Sequence, residues 1–381
     1  MSKLDELIAK LCPDGVEYIA IGKVVKYEQP TNYIVKSTDY SDAFSIPVLT
    51  AGQSFILGYT DEKVGIYNAS KENPVIIFDD FTGAFKWVNF PFKVKSSAMK
   101  ILTSEEDEIM IRYVFHVMGS MEFTSDEHKR LWISTYSMIK IPFPPLPIQR
   151  EIVRILDNFT ELTAELTAEL TARKKQYEYY QNILLTCDGF NIEPVDKKLG
   201  KEIQWLTLGE VCTLKAGKTI SSTEIFHEPF GKYQYPCFGG NGLRGYVKSY
   251  NQEGNFSLIG RQGALCGNVC YASGKFYATE HAVVVEPKGK CDERFLYYIL
   301  IAANLNQYKT AGAQPGLSVA KLEKVLVLIP SMSAQKRIVD ILDRFDALCN
   351  DITIGLPAEI EARQKQYEYY RDKLLSFKEK K

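Results

Sequence analysis

The sequence contains two closely matched segments, and this internal repeat constrains the fold more than any other feature. Residues 149–159 share seven of eleven positions with residues 335–345, and residues 172–180 share eight of nine with residues 362–370. Both later blocks contain Lys-Gln-Tyr-Glu-Tyr-Tyr. Chance similarity between amphipathic helices does not explain such a match twice, so the sequence indicates a tandem duplication.

Each matched segment has the pattern of a long helix. Residues 148–185 hold no Gly or Pro, and their apolar residues recur at three- and four-residue spacing. Gly189 lies just past the predicted end, where a helix stop is expected. The second helix, over about 333–377, is interrupted by Gly355 and Pro357, which predicts a break. Because helices this long cannot bury an apolar stripe alone, we expect the two to pair as an antiparallel coiled coil with pseudo-twofold symmetry.

A four-residue repeat lies inside the first helix, where Thr-Ala-Glu-Leu occupies 163–166 and again 167–170. Each such unit adds about 6 Å of rise and about 40° of rotation, so Leu162, Leu166 and Leu170 stay near one face. The helix can gain or lose one unit and keep its seam. This pattern fits a plain coiled-coil spacer and also a ruler whose length matters.

The segments between the helices have a mixed pattern. Residues 75–78, 85–94 and 282–285 are typical of strands, and 107–118 and 292–304 are typical of helices with acidic starts. The sequence therefore predicts an α+β protein with two tandem variable units, each followed by a long helix. The expected domains are a first unit at 1–145, a central helix at 146–188, a second unit at 189–330 and a C-terminal helix at 331–381.

Motifs for catalysis or cofactor binding fail when they are read in context. Gly-Asn-Gly-Leu-Arg-Gly at 240–245 fits a dinucleotide pattern, but a strand-like segment follows it where a helix is needed. Cys266 and Cys270 lack the paired spacing of a zinc site, and Asp79-Asp80 lacks the further carboxylate of a nuclease. We expect no catalytic residue, no metal and no cofactor in this chain.

Charge and composition narrow the partners. The chain has 46 basic and 47 acidic residues, so a uniformly basic nucleic-acid coat is excluded. Residues 201–330 nevertheless carry a net charge of +4, against −4 for residues 1–145. The sequence contains no stretch of about 18 apolar residues, so it predicts no membrane-spanning helix, and no secretion signal is visible. The expectation is a cytoplasmic protein whose eight scattered cysteines are reduced.

The remaining features favour nucleic-acid binding. Residues 229–279 hold five basic side chains and one acid, interleaved with tyrosines and Gly-rich turns, and residues 86–100 hold four lysines and no acid. Cations neutralise phosphates, and Arg, Asn and Gln forks read base edges. A solvated loop face remains the alternative interpretation. The predicted DNA contacts are Lys86, Lys93, Lys95, Lys218, Asn241, Arg244, Tyr246, Arg261, Gln262 and Gln314.

Over essentially its whole length the chain resembles DNA-specificity subunits of type I restriction–modification systems. The resemblance is carried by the proline-rich segment 141–149, by both Gln-x-x-Ile-Val-x-Ile-Leu-Asp blocks and by the paired tyrosine blocks. The second unit adds Pro-Cys-Phe-Gly-Gly-Asn-Gly at 236–242, Ile-Gly-Arg-Gln-Gly-Ala at 259–264 and Gln-Pro-Gly-Leu-Ser at 314–318. The first unit has no Gly-x-Gln-x-Gly-Leu-Ser segment before its helix; residues 119–135 stand there.

The resemblance implies a recognition subunit without catalytic residues. Each variable unit would read one half of a split sequence in double-stranded DNA, and the helices would set the gap between the halves. Two modification (methyltransferase) subunits, which carry the methyl donor and flip the adenine, would dock on the helices, and restriction subunits would join for cleavage. The helix residues expected to act as spacer or to meet partners are Leu162, Leu166, Leu170, Tyr177, Tyr180, Tyr367 and Tyr370.

Two other classes of protein remain as alternatives. A protein-interaction scaffold would use the coiled coil as its purpose, but the basic, tyrosine-rich loops argue against it. A single-chain enzyme fused to its own recognition unit would need adenine-methylation or nuclease motifs, which we do not find. Methyl-donor binding by the isolated chain separates the subunit from the fused enzyme, because the subunit should show none.

Overall fold

The computed structural model describes residues 2–50, 55–104, 108–121, 130–185, 203–263, 265–289, 291–310 and 315–380. The chain divides into two compact units, each described here by itself. Unit 1 comprises Met1–Leu166 with Glu359–Lys381, and unit 2 comprises Thr167–Ala358. The long helices are thus divided between the units and do not form a unit of their own.

Unit 1 mixes short strands with helices. The elements before the long helix are α1 (Lys3–Leu11), β1 (Glu17–Ala20), α2 (Ile21–Val24), β2 (Val25–Glu28), a 3₁₀ turn (Pro30–Tyr33), β3 (Ile46–Leu49), β4 (Ile56–Thr60), β5 (Val75–Asp79), β6 (Phe85–Val88), β7 (Lys93–Val94), β8 (Met99–Ser104), α3 (Ile111–Gly119), α4 (Leu131–Ser134), a 3₁₀ turn (Tyr136–Met138) and β9 (Lys140–Phe143). β1 and β9 pair antiparallel, β2-β8-β5-β6 form a four-stranded sheet, and β4-β3-β7 form a three-stranded sheet in which β3 and β7 run parallel.

The long helix α5 (Leu146–Leu185) follows, and its 40 residues span about 60 Å. It begins Leu-Pro, with Pro147 in the first turn, where the missing backbone N–H costs no hydrogen bond. The start predicted at Ile148 is therefore two residues late. The predicted stop at Gly189 lies outside the described residues. Leu162, Leu166 and Leu170 are half-buried along one stripe, as the repeat predicts.

Unit 2 repeats the plan of unit 1. The elements are β10 (Gln204–Thr207), α6 (Leu208–Val211), β11 (Cys212–Ala216), a 3₁₀ turn (Ser222–Glu224), β12 (Tyr235–Gly239), β13 (Gly242–Val247), β14 (Gln252–Gly260), β15 (Val269–Ala278), β16 (Ala282–Pro287), α7 (Glu293–Ala302), a 3₁₀ turn (Leu305–Tyr308), α8 (Val319–Leu322) and β17 (Leu326–Ile329). β10 and β17 pair antiparallel, and one six-stranded sheet has the order β11-β16-β14-β15-β12-β13.

The C-terminal helix is broken in two, as predicted. α9 (Met332–Asn350) belongs to unit 2, and α10 (Leu356–Leu374) begins with Leu-Pro like α5. Gly355 stands between them, where a side chain would clash with backbone oxygens of α9. Within unit 2, α5 and α9 are antiparallel: Tyr180 stacks on Phe345, whereas the earlier Lys174 lies near the later Cys349.

The matched segments bury matched residues. Ile152 and Leu156 of α5 are fully buried in the core of unit 1, and Ile338 and Leu342 of α9 are buried in the core of unit 2. The central strand β5 is buried at all five positions, typical of a strand covered on both faces. The α+β prediction with two tandem units is confirmed, but residues 85–94 form two strands, β6 and β7, where the sequence suggested one.

The remaining global predictions concern membranes and thiols. Within the described ranges, no helix is long and apolar enough to cross a membrane. The seven described cysteines are free thiols; six are buried and Cys270 is half-buried, while Cys187 lies outside the described residues. The described part of the chain holds no cluster of His, Cys, Asp or Glu that would bind a metal ion.

Candidate nucleic-acid interface

Unit 2 has an open cavity of about 810 Å³ at which several loops converge. Three predicted DNA contacts, Asn241, Arg244 and Gln262, line it. Asn241 lies in the turn between β12 and β13, Arg244 lies on β13 and Gln262 lies in the loop after β14, so residues about 20 positions apart in sequence share one surface. The lining residues are Gly239, Gly240, Asn241, Gly242, Leu243, Arg244, Gln262, Gly263, Leu265, His281, Pro315 and Gly316.

Glycines let these loops approach one another. A side chain at Gly260 would clash with the backbone oxygen of Gly240, because the end of β14 passes directly against the β12 hairpin. Gly242 has φ +87° in the hairpin turn, a conformation that favours glycine. The glycine pattern in the sequence therefore reports close backbone packing around the cavity and does not report a phosphate loop.

Backbone hydrogen bonds hold the cavity walls in place. The Arg261 N–H donates to His281 O at 2.9 Å, and the Leu317 N–H donates to Arg261 O at 2.8 Å. The Gly263 N–H donates to Pro315 O at 3.2 Å. The loop after β14 is thus fixed on one side to the turn before β16 and on the other to the segment before α8.

Polar atoms at this place lack partners. Among the residues that the structure describes, four buried side-chain polar atoms have no hydrogen-bond partner, and three belong to Arg261 (Nε), Glu280 (Oε2) and His281 (Nδ1). The His281 Nε2 lies 3.3 Å from Glu280 Oε1. Buried polar groups are normally paired, so this corner keeps hydrogen-bonding capacity for a bound molecule. No sequence signal marked Glu280 or His281 as part of this surface.

The other predicted contacts of unit 2 lie nearby or outside the described chain. Lys218 is exposed, and its N–H donates to Ala278 O at 2.9 Å beside the β15 end. Tyr246 is half-buried in β13, where its backbone pairs with Phe226. Gln314 lies outside the described residues.

The predicted contacts of unit 1 do not share a single fate. Lys86 is exposed on β6, and Lys95 is exposed with its ammonium 5.8 Å from the centre of the Tyr40 ring. Lys93 is buried: its Nζ donates to Val64 O at 2.6 Å and pairs with Glu62 Oε2 at 3.0 Å. Lys93 therefore anchors the 62–65 loop and, contrary to the sequence prediction, is not placed to contact DNA.

The tyrosine blocks pack inside their units. In unit 2, Tyr177 and Tyr180 stack on Phe345 with centroids 6.0 and 5.4 Å apart. In unit 1, Tyr370 stacks on Phe159 at 5.4 Å. The remaining tyrosine of each block is the most exposed: Tyr179 is 59% and Tyr369 is 62% exposed.

In each unit, an ion pair joins a shorter helix to a long one, α7 to α9 in unit 2 and α3 to α5 in unit 1; we call this contact the clamp. In unit 2, Arg294 Nε donates to Asp343 Oδ1 at 2.7 Å, and the Tyr298 hydroxyl donates to the same oxygen at 2.5 Å. Burial and this hydrogen bond raise the pKa of Tyr298 well above its usual range. Arg294 also lies over the Tyr297 ring at 4.9 Å. The result is an ion pair enclosed by aromatic rings.

Unit 1 has the same clamp with a histidine. Arg112 Nε donates to Asp157 Oδ1 at 2.7 Å, and His116 Nε2 lies 2.8 Å from the same oxygen. The His116 Nδ1 lies 3.2 Å from the Tyr367 hydroxyl. Burial lowers the pKa of His116, although the Asp157 hydrogen bond opposes it. Because Asp157 and Asp343 are equivalent in the repeat, the duplication extends to this contact.

Comparison with known proteins identifies the family of this architecture. The family described as type I restriction modification DNA specificity domain matches residues 13–173 and 200–362. The chain is 43% identical over 410 residues to the EcoR124I/EcoR124II type I restriction enzyme specificity subunit of Escherichia coli, covering 99% of this chain and 97% of that one. It is 50% identical over 216 residues to the EcoprrI specificity subunit of the same species, covering 56% and 52%.

A solved structure agrees at the level of the fold. The type I restriction–modification S subunit from M. genitalium superposes with a TM-score of 0.67 at 16% identity, covering 95% of this chain and 96% of that one. The two family matches correspond to the two copies of the sequence repeat, and each match ends within a long helix. The chain therefore belongs to the type I restriction–modification DNA specificity family, as a specificity subunit with two tandem specificity domains.

Proposed function

We propose that each unit reads one half of a bipartite sequence in double-stranded DNA, and that residues 1–145 and 189–330 are the recognition domains. The observation that carries this proposal is the convergence of Asn241, Arg244 and Gln262 on one open surface of unit 2. These are the side-chain types whose forked groups read base edges in the major groove: Arg reads guanine, and Asn or Gln reads adenine.

The electrostatics of unit 2 support DNA as the partner. Lys218, Arg244 and Lys248 are exposed, and the second variable region carries a net positive charge. Exposed cations around a base-reading surface neutralise phosphates and hold the duplex in register, so their effect on affinity depends on salt. Arg261 and His281 have buried atoms without partners at the same place, which adds hydrogen-bonding capacity.

The partner proteins are proposed from the helices. Two modification subunits, one for each half of the chain, would use surfaces that include the exposed Tyr179 and Tyr369. Tyrosine is enriched at protein interfaces because its ring packs and its hydroxyl stays wet. The modification subunits would carry the methyl donor, and restriction subunits would join the same assembly. The half-buried leucines of the four-residue repeat would set the gap between the half-sites.

The direct test is to express the chain with its cognate modification subunit in a methylation-free host and to map methylated adenines by sequencing. A single split motif with a fixed gap is the expected result. An Asn241→Ala and Arg244→Ala double variant, with both side chains at the cavity, should lose or relax only one half of that motif. A stable complex of the two proteins that methylates no defined sequence would favour the scaffold alternative.

A further inference from the structure

The two units share a backbone frame around different side chains. In unit 2, Arg261 N–H donates to His281 O, and Leu317 N–H donates to Arg261 O, at 2.9 and 2.8 Å. In unit 1, Asp80 N–H donates to Ala98 O, and Leu131 N–H donates to Asp80 O, at 3.0 and 2.8 Å. The positions correspond one to one: Asp80 to Arg261, Ala98 to His281 and Leu131 to Leu317.

Neighbouring strands confirm this alignment. Lys95 N–H donates to Leu49 O at 2.8 Å at the end of β7, and Thr279 N–H donates to Phe238 O at 2.9 Å at the end of β15. The strand pairs β3–β7 and β12–β15 are both parallel. Lys95 therefore occupies in unit 1 the place of Thr279, just before the position of His281. The surface proposed to read DNA in unit 2 can thus be located in unit 1.

Two of the polar positions are closed in unit 1. The Asp80 carboxylate, at the place of Arg261, is buried, pairs with Lys100 Nζ at 3.4 Å and accepts the Trp132 N–H at 2.9 Å. Ala98 stands where unit 2 has His281, so no ring is present there. Asp80 and Lys100 form a buried ion pair inside unit 1 and are not available to contact DNA. Side chains that read DNA must therefore come from other positions of the same frame.

Two exposed side chains occupy those other positions. Arg130 precedes Leu131 as Gly316, which lines the unit 2 cavity, precedes Leu317. Phe81 follows Asp80 as Gln262 follows Arg261, and it is 44% exposed. The exchange puts a forked cation where unit 2 has a glycine and an apolar ring where unit 2 has an amide.

From this correspondence we propose that Arg130 is a specificity-determining residue of unit 1 and reads a guanine in the half-site of that unit. The inference rests on the proposed function, because it transfers the DNA-reading surface of unit 2 to unit 1. Arg130 presents two parallel N–H donors to guanine O6 and N7, and Phe81 beside it contacts a thymine methyl group. Lys95 contributes a phosphate contact at the edge of the same surface.

The experiment uses the complex of the chain with its modification subunit and measures binding to duplexes in which each base pair of both half-sites is substituted in turn. Arg130→Ala should weaken binding of the cognate duplex about 10- to 100-fold and abolish discrimination at one G·C pair of one half-site. Arg130→Lys should keep much of the salt-dependent affinity and still lose that discrimination, because an ammonium lacks the fork.

Two further variants keep the outcomes distinct. Arg244→Ala should relax a position in the opposite half-site, and Lys140→Ala, which removes an exposed cation of unit 1 on β9, should relax none. If Arg244→Ala behaves so while Arg130→Ala and Arg130→Lys leave every position unchanged, the assignment of Arg130 is overturned and the proposed function stands. If the complex prefers no sequence at all, the proposed function fails and the assignment fails with it.

Discussion

His116 occupies in unit 1 the place that Tyr298 occupies in unit 2, and this single exchange gives the two clamps different responses to pH. Its side chain is fully buried between Asp157 and Tyr367, with the Arg112 guanidinium on the same carboxylate. Burial lowers the pKa of His116, and the nearby Arg112 and Arg371 charges act in the same direction. The folded chain therefore holds this imidazole neutral where an unfolded chain begins to take up a proton.

We predict that His116→Tyr removes a pH dependence of the stability of unit 1. Below about pH 6.5 the unfolded state binds more protons at this residue than the folded state. The free energy of unfolding therefore decreases as the pH is lowered, by at most about 1.4 kcal/mol per pH unit. Denaturant unfolding between pH 7 and pH 5 should show the decline in the parent chain and a smaller one in the variant. Equal slopes for both proteins would contradict this role.

Arg261 carries the second prediction at the residue scale. Its backbone is fixed at the cavity edge, and its Nε is buried without a hydrogen-bond partner. We therefore expect the Arg261 side chain to donate a hydrogen bond to bound DNA. Arg261→Ala should weaken binding through unit 2 only, by about 1–3 kcal/mol. Binding to duplexes altered in one half-site or the other provides the measurement. Lys215→Ala, an exposed cation on β11, is the matched control; equal losses for both half-sites would refute the assignment.

Side-chain chemistry was predictable where local pattern decides it and not where partners come from afar. Asn241, Arg244 and Gln262 lie among glycines, a pattern that indicates exposure, and all three are exposed at the unit 2 cavity; their contact with DNA stays a prediction. Lys93 was predicted wrongly because its partner Glu62 lies 31 residues away and leaves no mark in the local charge pattern. His281 reaches the cavity through the pairing of β14 with β16, which the sequence does not specify.

At the scale of the element, the helices follow the sequence closely. α5 begins two residues before its predicted start, and the predicted break in the C-terminal helix lies at residues 351–355, which include Gly355, while Pro357 lies in the first turn of α10. Helical periodicity is local, so one sequence suffices to locate it. The short strands are stabilised by non-local partners instead, so the sequence pattern does not separate β6 from β7 and does not specify the parallel pairing of β12 with β15.

The four-residue repeat of α5 supplies a prediction for one element. Deleting residues 167–170 shortens the helix by about 6 Å, against about 3.4 Å per base pair of DNA, and leaves the leucine stripe nearly in phase. We expect a recognised sequence with both half-sites unchanged and a gap shorter by one or two base pairs. Sequencing of methylated adenines in cells that express the complex measures the gap.

The control for this deletion changes the same residues without changing the length. Substituting Thr167, Glu169 and Leu170 by Ala keeps a continuous helix, since Ala has the highest helix propensity. The gap should then stay that of the parent chain. An altered half-site after the deletion, or an unaltered gap, would rule out a ruler.

At the scale of the whole molecule, each unit contains segments from both copies of the sequence repeat, an arrangement that we call the interlock. Unit 1 is completed by Tyr367 and Tyr370, which come from the second tyrosine block, while Tyr177 and Tyr180 of the first block complete unit 2. Residues 378–380 also pair with Val16, and the Tyr18 hydroxyl donates to Phe377 O at 2.9 Å. Each unit is therefore built from both sequence repeats.

We predict that a chain ending at Ala358 is destabilised in unit 1 and not in unit 2. The truncation uncovers apolar residues against which Leu375 and Phe377 pack, whereas every residue of Thr167–Ala358 remains. Hydrogen exchange should show faster exchange in α3 and β1, with α7 and β14 as internal controls that stay protected. A uniform change over both units would show that the interlock has no energetic weight.

This interlock also sets an order of events during protein synthesis. Val16 emerges from the ribosome early, but its backbone partners at 378 and 380 are made more than 360 residues later. Unit 1 includes Glu359–Lys381, so it cannot complete its fold until those residues have been made, although most of its residues are made first. A chain that ends between residues 358 and 374 lacks Leu375 and Phe377, so part of the unit 1 core is uncovered, and partly unfolded chains are degraded by cellular proteases. The pairing of residues 16 and 379 thus makes the first unit of the molecule dependent on some of the residues that are made last.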